Sequence, residues 1–365
     1  MPVAMNRRAI LGAFAGGITA LGTPIELSAR QRARAVFATA FMTRNATFGV
    51  ALLSEDGTVI GEHPLPARGH DVVFQPASGN LAVVFARRPG NFALAFSLQS
   101  RASKEPVLFT TPPNRHFYGH GVFSADGRLL FATENDFESG QGIIGIYDVR
   151  SGFSRVGEFA SGGVGPHDVQ LMPDGRHLLV ANGGIETHPD YGRAKLNLAT
   201  MQPNLALIEM STGDLKARFM LQPSLSKISM RHLAGEDRRF WIAGQHEGDP
   251  AAPVPLLFSW SEDDGLKELS LPRNHLRSLR GYVGSVAYNP ATNELYASSP
   301  EGGTLLVIDT TSGKVKKTIA SLLVCGVAPS GPSHLATSRD GEVIAGAHRH
   351  TSSQLWDNHI AYVGA

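Results

Sequence analysis

Five histidines occupy the same local position in this 365-residue chain, each just before a short apolar run. Three copies are close: Gly69-His70-Asp71-Val72-Val73-Phe74, Gly119-His120-Gly121-Val122-Phe123 and Pro166-His167-Asp168-Val169. Arg231-His232-Leu233-Ala234 and Asn358-His359-Ile360-Ala361 are looser. Two further copies keep the run but lack the imidazole, with Gly284-Ser285-Val286 in one and Cys325-Gly326-Val327, the only cysteine, in the other. Imidazole and thiolate are ligands for transition metals, and neutral imidazole needs only a free ring nitrogen to bind. Repeats arranged round one axis would bring these side chains to one place.

The elements that must do this are strands. Forty glycines and 22 prolines, with charged residues at 18%, suit many short strands joined by tight turns. Asp56-Gly57, Asp126-Gly127, Asp174-Gly175 and Asp340-Gly341 supply hairpin turns. One unit runs from Val122-Phe123-Ser124 through Leu129–Ala132 and Ile143–Tyr147 to Val156–Phe159, four strands in about forty residues, the size of a propeller blade. The layout repeats over 69–115, 118–163, 164–225, 226–275, 281–322 and 323–350. Residues 34–64 offer three more strands and lack an inner one, which 358–363 can supply by pairing the two chain ends. The expected fold is all-β, a seven-bladed β-propeller over 33–365, with no amphipathic helix.

The first 29 residues stand apart. Arg7-Arg8 precedes a short apolar run from Leu11 to Leu21, the pattern of a twin-arginine export signal, too short for a stable membrane span. The expected location is the periplasm. A net charge of +1 gives no reason to invoke nucleic acid.

In a propeller, the entry to the inner strand and the loop after the second strand share one face. Glu134, Asn182, Glu186, Gln245 and Glu247 fall in such loops, so the expected metal set is His70, His120, His167, His232 and His359 with Glu134, Glu186 and Cys325. Arg87, Arg88, Asn182 and Gln245 are candidates for holding a cofactor or anion, and His348 and His350 could face the same mouth. A long insertion at 183–204 reads as a functional loop or lid. Crowded imidazoles should stay neutral, and those from opposite blades should stand too far apart to ligate together. The competing reading makes the histidines structural, as in WD-repeat propellers, although no recurring Trp-Asp accompanies them. No Ser-His-Asp order, phosphate loop or paired-cysteine motif appears, and no catalytic residue is assigned.

Arg115-His116-Phe117-Tyr118-Gly119-His120, Ala181-Asn182-Gly183-Gly184-Ile185-Glu186-Thr187-His188-Pro189, Tyr282-Val283-Gly284-Ser285 and Trp356-Asp357-Asn358-His359 resemble an uncharacterised proteobacterial family of exported propeller proteins, a domain of unknown function. Its genes often adjoin those for imelysin-type and di-haem peroxidase-like proteins. The resemblance therefore implies a link to iron uptake, with partners of that kind, and the expected ion is iron or copper. The Pro166-His167-Asp168 copy is also similar to lactonase-type repeats, and nitrous oxide reductase gathers histidines at one end of a propeller channel. Metal binding for acquisition is the leading expectation. A metal-dependent oxidoreductase, a lactonase-like hydrolase or an interaction scaffold are the alternatives.

Overall fold

Seven antiparallel sheets make up the structure, a computed structural model that describes residues 37–76, 80–98 and 105–362. The stretch expected to be an export signal lies outside the described residues. Blades 2 to 7 each take four consecutive strands and open on Gly69–Phe74, Arg115–Phe123, Pro166–Leu171, Ile228–Glu236, Ser285–Asn289 and Val324–Ser330. Blade 1 is composite. Its strands Phe37–Met42, Phe48–Leu53 and Val59–Leu65 come from the start of the described chain, and its inner edge comes from the end. There Leu355–Trp356 pairs with Phe41 and Met42, and Ala361–Tyr362 pairs with Phe37 and Ala38. The ring closes as the sequence expects, and the seven-bladed β-propeller is the fold.

Burial explains the strand grammar. Second strands such as His177–Asn182 and Leu81–Ala86 are buried on both faces, because each blade is sandwiched between two neighbours, and so read as unbroken apolar runs. Outer strands such as Ser154–Ala160 alternate between exposed and half-buried. Apolar clusters fill the gaps between neighbouring blades, for example Phe85 against Phe117 between blades 2 and 3, and Trp356 with Phe41 and Leu335 between blades 1 and 7. The glycines of all four Asp-Gly turns have positive φ, a conformation other residues enter at a cost. One six-residue helix, Arg273–Ser278, connects blades 5 and 6.

The inner strands share a local irregularity that the sequence conceals. Their pairing to the second strand slips between Gly69 and Val72, Phe117 and Gly121, Pro166 and Asp168, Met230 and His232, and Val324 and Val327. Each slip is a β-bulge, which bends the strand and redirects a side chain that regular pleating would send into a blade interface. In blade 1 the interruption is larger, with residues 357–360 left between the two short closing strands. Four of the histidines lie within or beside these bulges, and His359 lies in the interruption.

Candidate metal centre

The bulges of blades 2 to 5 and the interruption in blade 1 place five histidines side by side, and their rings meet. His120 is the hub: its ring centroid lies 5.0 Å from His70, 5.1 Å from His167, 5.5 Å from His232 and 4.7 Å from His359. His232 and His359, from blades 5 and 1, are only 4.5 Å apart. The expectation that opposite blades hold their imidazoles too far apart is therefore corrected. The interruption at 357–360 carries His359 across the axis.

Two groups of three donors emerge, His70/His120/His167 and His120/His232/His359, each with its nitrogens within 4.8 Å of one another. Bonds of about 2.1 Å from one ion allow ligand nitrogens no more than about 4.2 Å apart, so only small side-chain shifts separate either group from coordination. His120 belongs to both. Its Nδ1 is committed elsewhere, so its single remaining nitrogen serves one ion at a time.

Carboxylates orient the rings. His70 Nδ1 donates to Asp357 Oδ1 at 2.7 Å, and His120 Nδ1 donates to Asp71 Oδ2 at 3.1 Å, with Asp168 Oδ1 at 3.8 Å. Each bond fixes a proton on Nδ1 and leaves the Nε2 lone pair free, the arrangement that supports metal-bound histidine elsewhere. His120 Nε2, His167 Nδ1, both nitrogens of His232 and His359 Nε2 are buried without a hydrogen-bond partner. Such orphaned nitrogens are costly, and a cation would satisfy them.

Burial drives the His70 imidazole down to about 4 despite Asp357, and His167, His232 and His359 fall well below the ordinary range through burial and mutual repulsion. These four are neutral, as crowding requires. His120 differs. Burial opposes its charge, but Asp168, Asp71 and Asp357 outweigh burial and raise it. Asp168 is itself raised to about 6 by burial, and its oxygens accept from the Val169 and Leu233 amides, linking blades 4 and 5.

Asp357 anchors the ring closure. Its carboxylate accepts from Arg68 Nε at 2.8 Å and Arg87 Nη1 at 2.6 Å as well as from His70, and its amide donates to the Ala40 carbonyl at 2.9 Å. The sequence reading missed Asp71, Asp168 and Asp357. A signal was present: aspartate follows the histidine directly at His70-Asp71 and His167-Asp168, and precedes it by two at Asp357.

Several expected site residues lie elsewhere. Glu134 is not in a mouth loop but inside the strand Leu129–Asp136, where Tyr147 and Arg155 donate to its buried carboxylate at 2.7 and 2.6 Å. Arg155 and Arg115 make that charge tolerable within a blade. Cys325 packs in the apolar cluster between blades 1 and 7, and its thiol donates to the Asp357 carbonyl at 3.1 Å. Burial pushes that thiol up to about 12, unsuited to a thiolate ligand. Asn182 bonds Ser161 and Asn204 between blades 3 and 4. Glu186 sits beside Gly140 in a hairpin of blade 3, and His348 and His350 are exposed on an outer strand of blade 7. His116 is structural, bonded to the Phe117 carbonyl and to Asn135.

Above the rings opens a cavity of about 660 Å³, which His70 and His167 reach, along with Arg87, Arg88 and Gln245. The 183–204 insertion contributes Arg193 and Lys195 to its wall. Glu247 also lines it, accepting from Lys195 and facing Arg231 at 3.7 Å.

A family model described as "Protein of unknown function (DUF1513)" matches residues 63–363. The chain belongs to this family. The match takes in all five histidines and Asp71, Asp168 and Asp357, and leaves out the first two strands of blade 1. No curated protein matches the sequence. Among solved structures, the chain is similar to Kuenenia stuttgartiensis hydrazine synthase, at 13% identity and a TM-score of 0.59 over 87% of this chain and 95% of that one. A Myceliophteria thermophila Cps50 (Swd1) β-propeller domain also aligns, at 13% identity and a TM-score of 0.48 over 75% and 83% of the two chains. A nidogen/laminin complex aligns at 12% identity and 0.47 over 78% and 93%. At 13% identity the likeness to hydrazine synthase is one of fold alone.

Proposed function

We propose that this DUF1513 protein binds one transition-metal ion, iron or copper, at the histidine cluster and serves metal acquisition in the periplasm. The single observation that carries the reading is the set of buried imidazole nitrogens without partners around His120, with neighbouring rings tied to carboxylates. Imidazole donors of this kind suit copper, zinc, iron and nickel. The His70/His120/His167 group adjoins the cavity and would leave a coordination position open to it, whereas His120, His232 and His359 are all buried. Export by the twin-arginine route rests on Arg7-Arg8 and the apolar run after them, and imelysin-type or di-haem peroxidase-like partners rest on the family resemblance. They are the setting proposed for the metal site.

The test is elemental analysis of protein purified from periplasm without chelator, beside a His120→Ala variant. One ion per chain, lost in the variant, supports the reading. A wild-type protein without stoichiometric metal ends it. A second reading, a metal-dependent oxidoreductase, is favoured by the cavity over the open group; turnover of a small molecule by metal-loaded protein would distinguish it.

A further inference from the structure

The cavity over the histidines has an excess of positive charge that nothing in the metal reading requires. Seven cationic side chains line it against two carboxylates, Glu247 and Glu301. Asp357 neutralises Arg87 from below, Glu247 is shared by Lys195 and Arg231, and Glu301 lies 4.0 Å from Arg339. That leaves Arg88, Arg193 and Arg280, none with a carboxylate within ion-pair distance among the described residues. Arg88 reaches only the Thr187 hydroxyl, at 3.4 Å. Arg231 Nε is buried without a partner.

These cations come from separate parts of the chain. Arg88 follows the second strand of blade 2, Arg193 belongs to the insertion, Arg231 lies in the bulge of blade 5 and Arg280 follows the helix Arg273–Ser278. A solvated surface spreads like charges apart; here the fold gathers them in a concave site, where repulsion is felt more strongly than in open water. The burden shows on Arg88, which burial and its neighbours Arg231, Arg193 and Arg87 push down. A cavity of about 660 Å³ is the size of a small-molecule site.

We propose that this mouth binds a small multivalent oxyanion, held by Arg88, Arg193, Arg231 and Arg280 directly above His70 and His167. Guanidinium forks match carboxylate and phosphate oxygens in pairs, and both chemistries fit the charge left over. The anion's site stands whether or not a metal lies beneath it. If the metal reading also holds, a free oxygen of the anion lies where an open coordination position would face.

The test is calorimetric titration of the intact protein, stripped of metal and then dialysed free of chelator, since a chelator is itself a polycarboxylate. Citrate and pyrophosphate are the two probes, at fixed ionic strength. Saturable one-to-one binding of citrate alone assigns a polycarboxylate, of pyrophosphate alone a phosphate ester or polyphosphate, and of both a general oxyanion site. Arg193→Gln and Arg280→Gln, at exposed rim positions, should each weaken binding about tenfold. Arg238→Gln, at the remote Asp263 pair, should leave it unchanged. Failure of both probes to saturate overturns the proposal, as does binding indifferent to both rim substitutions. Because no metal is present, neither result depends on the histidine site.

Discussion

Replacing Asp357 with asparagine should separate two roles that meet in one carboxylate. The side chain is 2% exposed and accepts from Arg68, Arg87 and His70, so the substitution keeps the shape and removes the charge that three donors share. Breaking a buried ion pair by neutralising one partner costs about 3–5 kcal/mol, because the remaining charge is left unpaired. In a domain of this size that corresponds to a fall in Tm of roughly 4–7 °C. The pH dependence is more diagnostic. Burial alone would raise the Asp357 carboxyl, but Arg87, His70 and Arg68 override it and hold it far below its ordinary 3.8. A carboxylate so depressed stabilises the fold fully above its unfolded value and loses that contribution only as pH falls below it. The carboxylate's own share of the wild-type advantage should therefore be constant from pH 5 to 8 and shrink only below about pH 4, while its pull on His120 adds to the advantage toward pH 5. Chemical denaturation of metal-free protein across that range measures it. Metal affinity should fall about 10–100-fold in parallel, because an amide oxygen holds the His70 Nδ1 proton less firmly than the carboxylate does and can flip to present its NH2 instead. A loss below 1 kcal/mol, or an advantage that vanishes as pH falls from 8 to 5 instead of below pH 4, would refute the assignment of Asp357 as the charged anchor of the ring closure.

Three further outcomes follow from individual contacts. Gly119→Ala should lower stability by about 1–3 kcal/mol and weaken metal binding, since φ is +108° and the new methyl would fall 2.5 Å from His70 Cδ2; unfolding curves and metal titration check both. Glu134→Gln should destabilise by about 1–3 kcal/mol, because Arg155 loses its buried carboxylate but keeps Glu158, while metal stoichiometry stays unchanged. Loss of metal in a folded Glu134→Gln protein would return that residue to the site. Burial, with Lys317 nearby, lowers His334 from 6.5 to about 4, so the unfolded chain takes up a proton there that the folded chain refuses as pH falls through that window. Its Nε2 has no partner and its ring packs on Tyr296, so His334→Phe should gain about 2 kcal/mol on wild type at pH 5 and little from this effect at pH 8, as read by denaturation at both pH values.

The blade plan was legible in the sequence because turn chemistry and burial are local. Asp-Gly pairs mark hairpins, and second strands buried on both sides spell continuous apolar runs such as Leu178–Ala181. Ring closure was legible for a related reason: three strands at one end lacked a partner, and a strand at the other end lacked a sheet. The meeting of the five histidines followed from their common register. What governs their chemistry did not, because bulges are defined by pairing to another strand. A one-residue slip at Arg231 or His167 leaves no mark on composition. The place of Glu134 inside a buried strand is hidden from the sequence, because the arginines that partner it, Arg155 and Arg115, arrive from elsewhere in the chain. The raised His120 likewise depends on carboxylates from three different blades. The basic mouth shows the same limit: its cations are scattered from Arg87 to Arg339, and only the folded ring collects them.

The most direct measurement is an anomalous-difference map from a crystal of the protein purified without chelator, collected at the iron and copper edges. The account places one peak within bonding distance of His120 Nε2, flanked either by His70 and His167 or by His232 and His359. A metal found only at other side chains, or five imidazoles in a well-ordered ring with no anomalous scatterer among them, would contradict it.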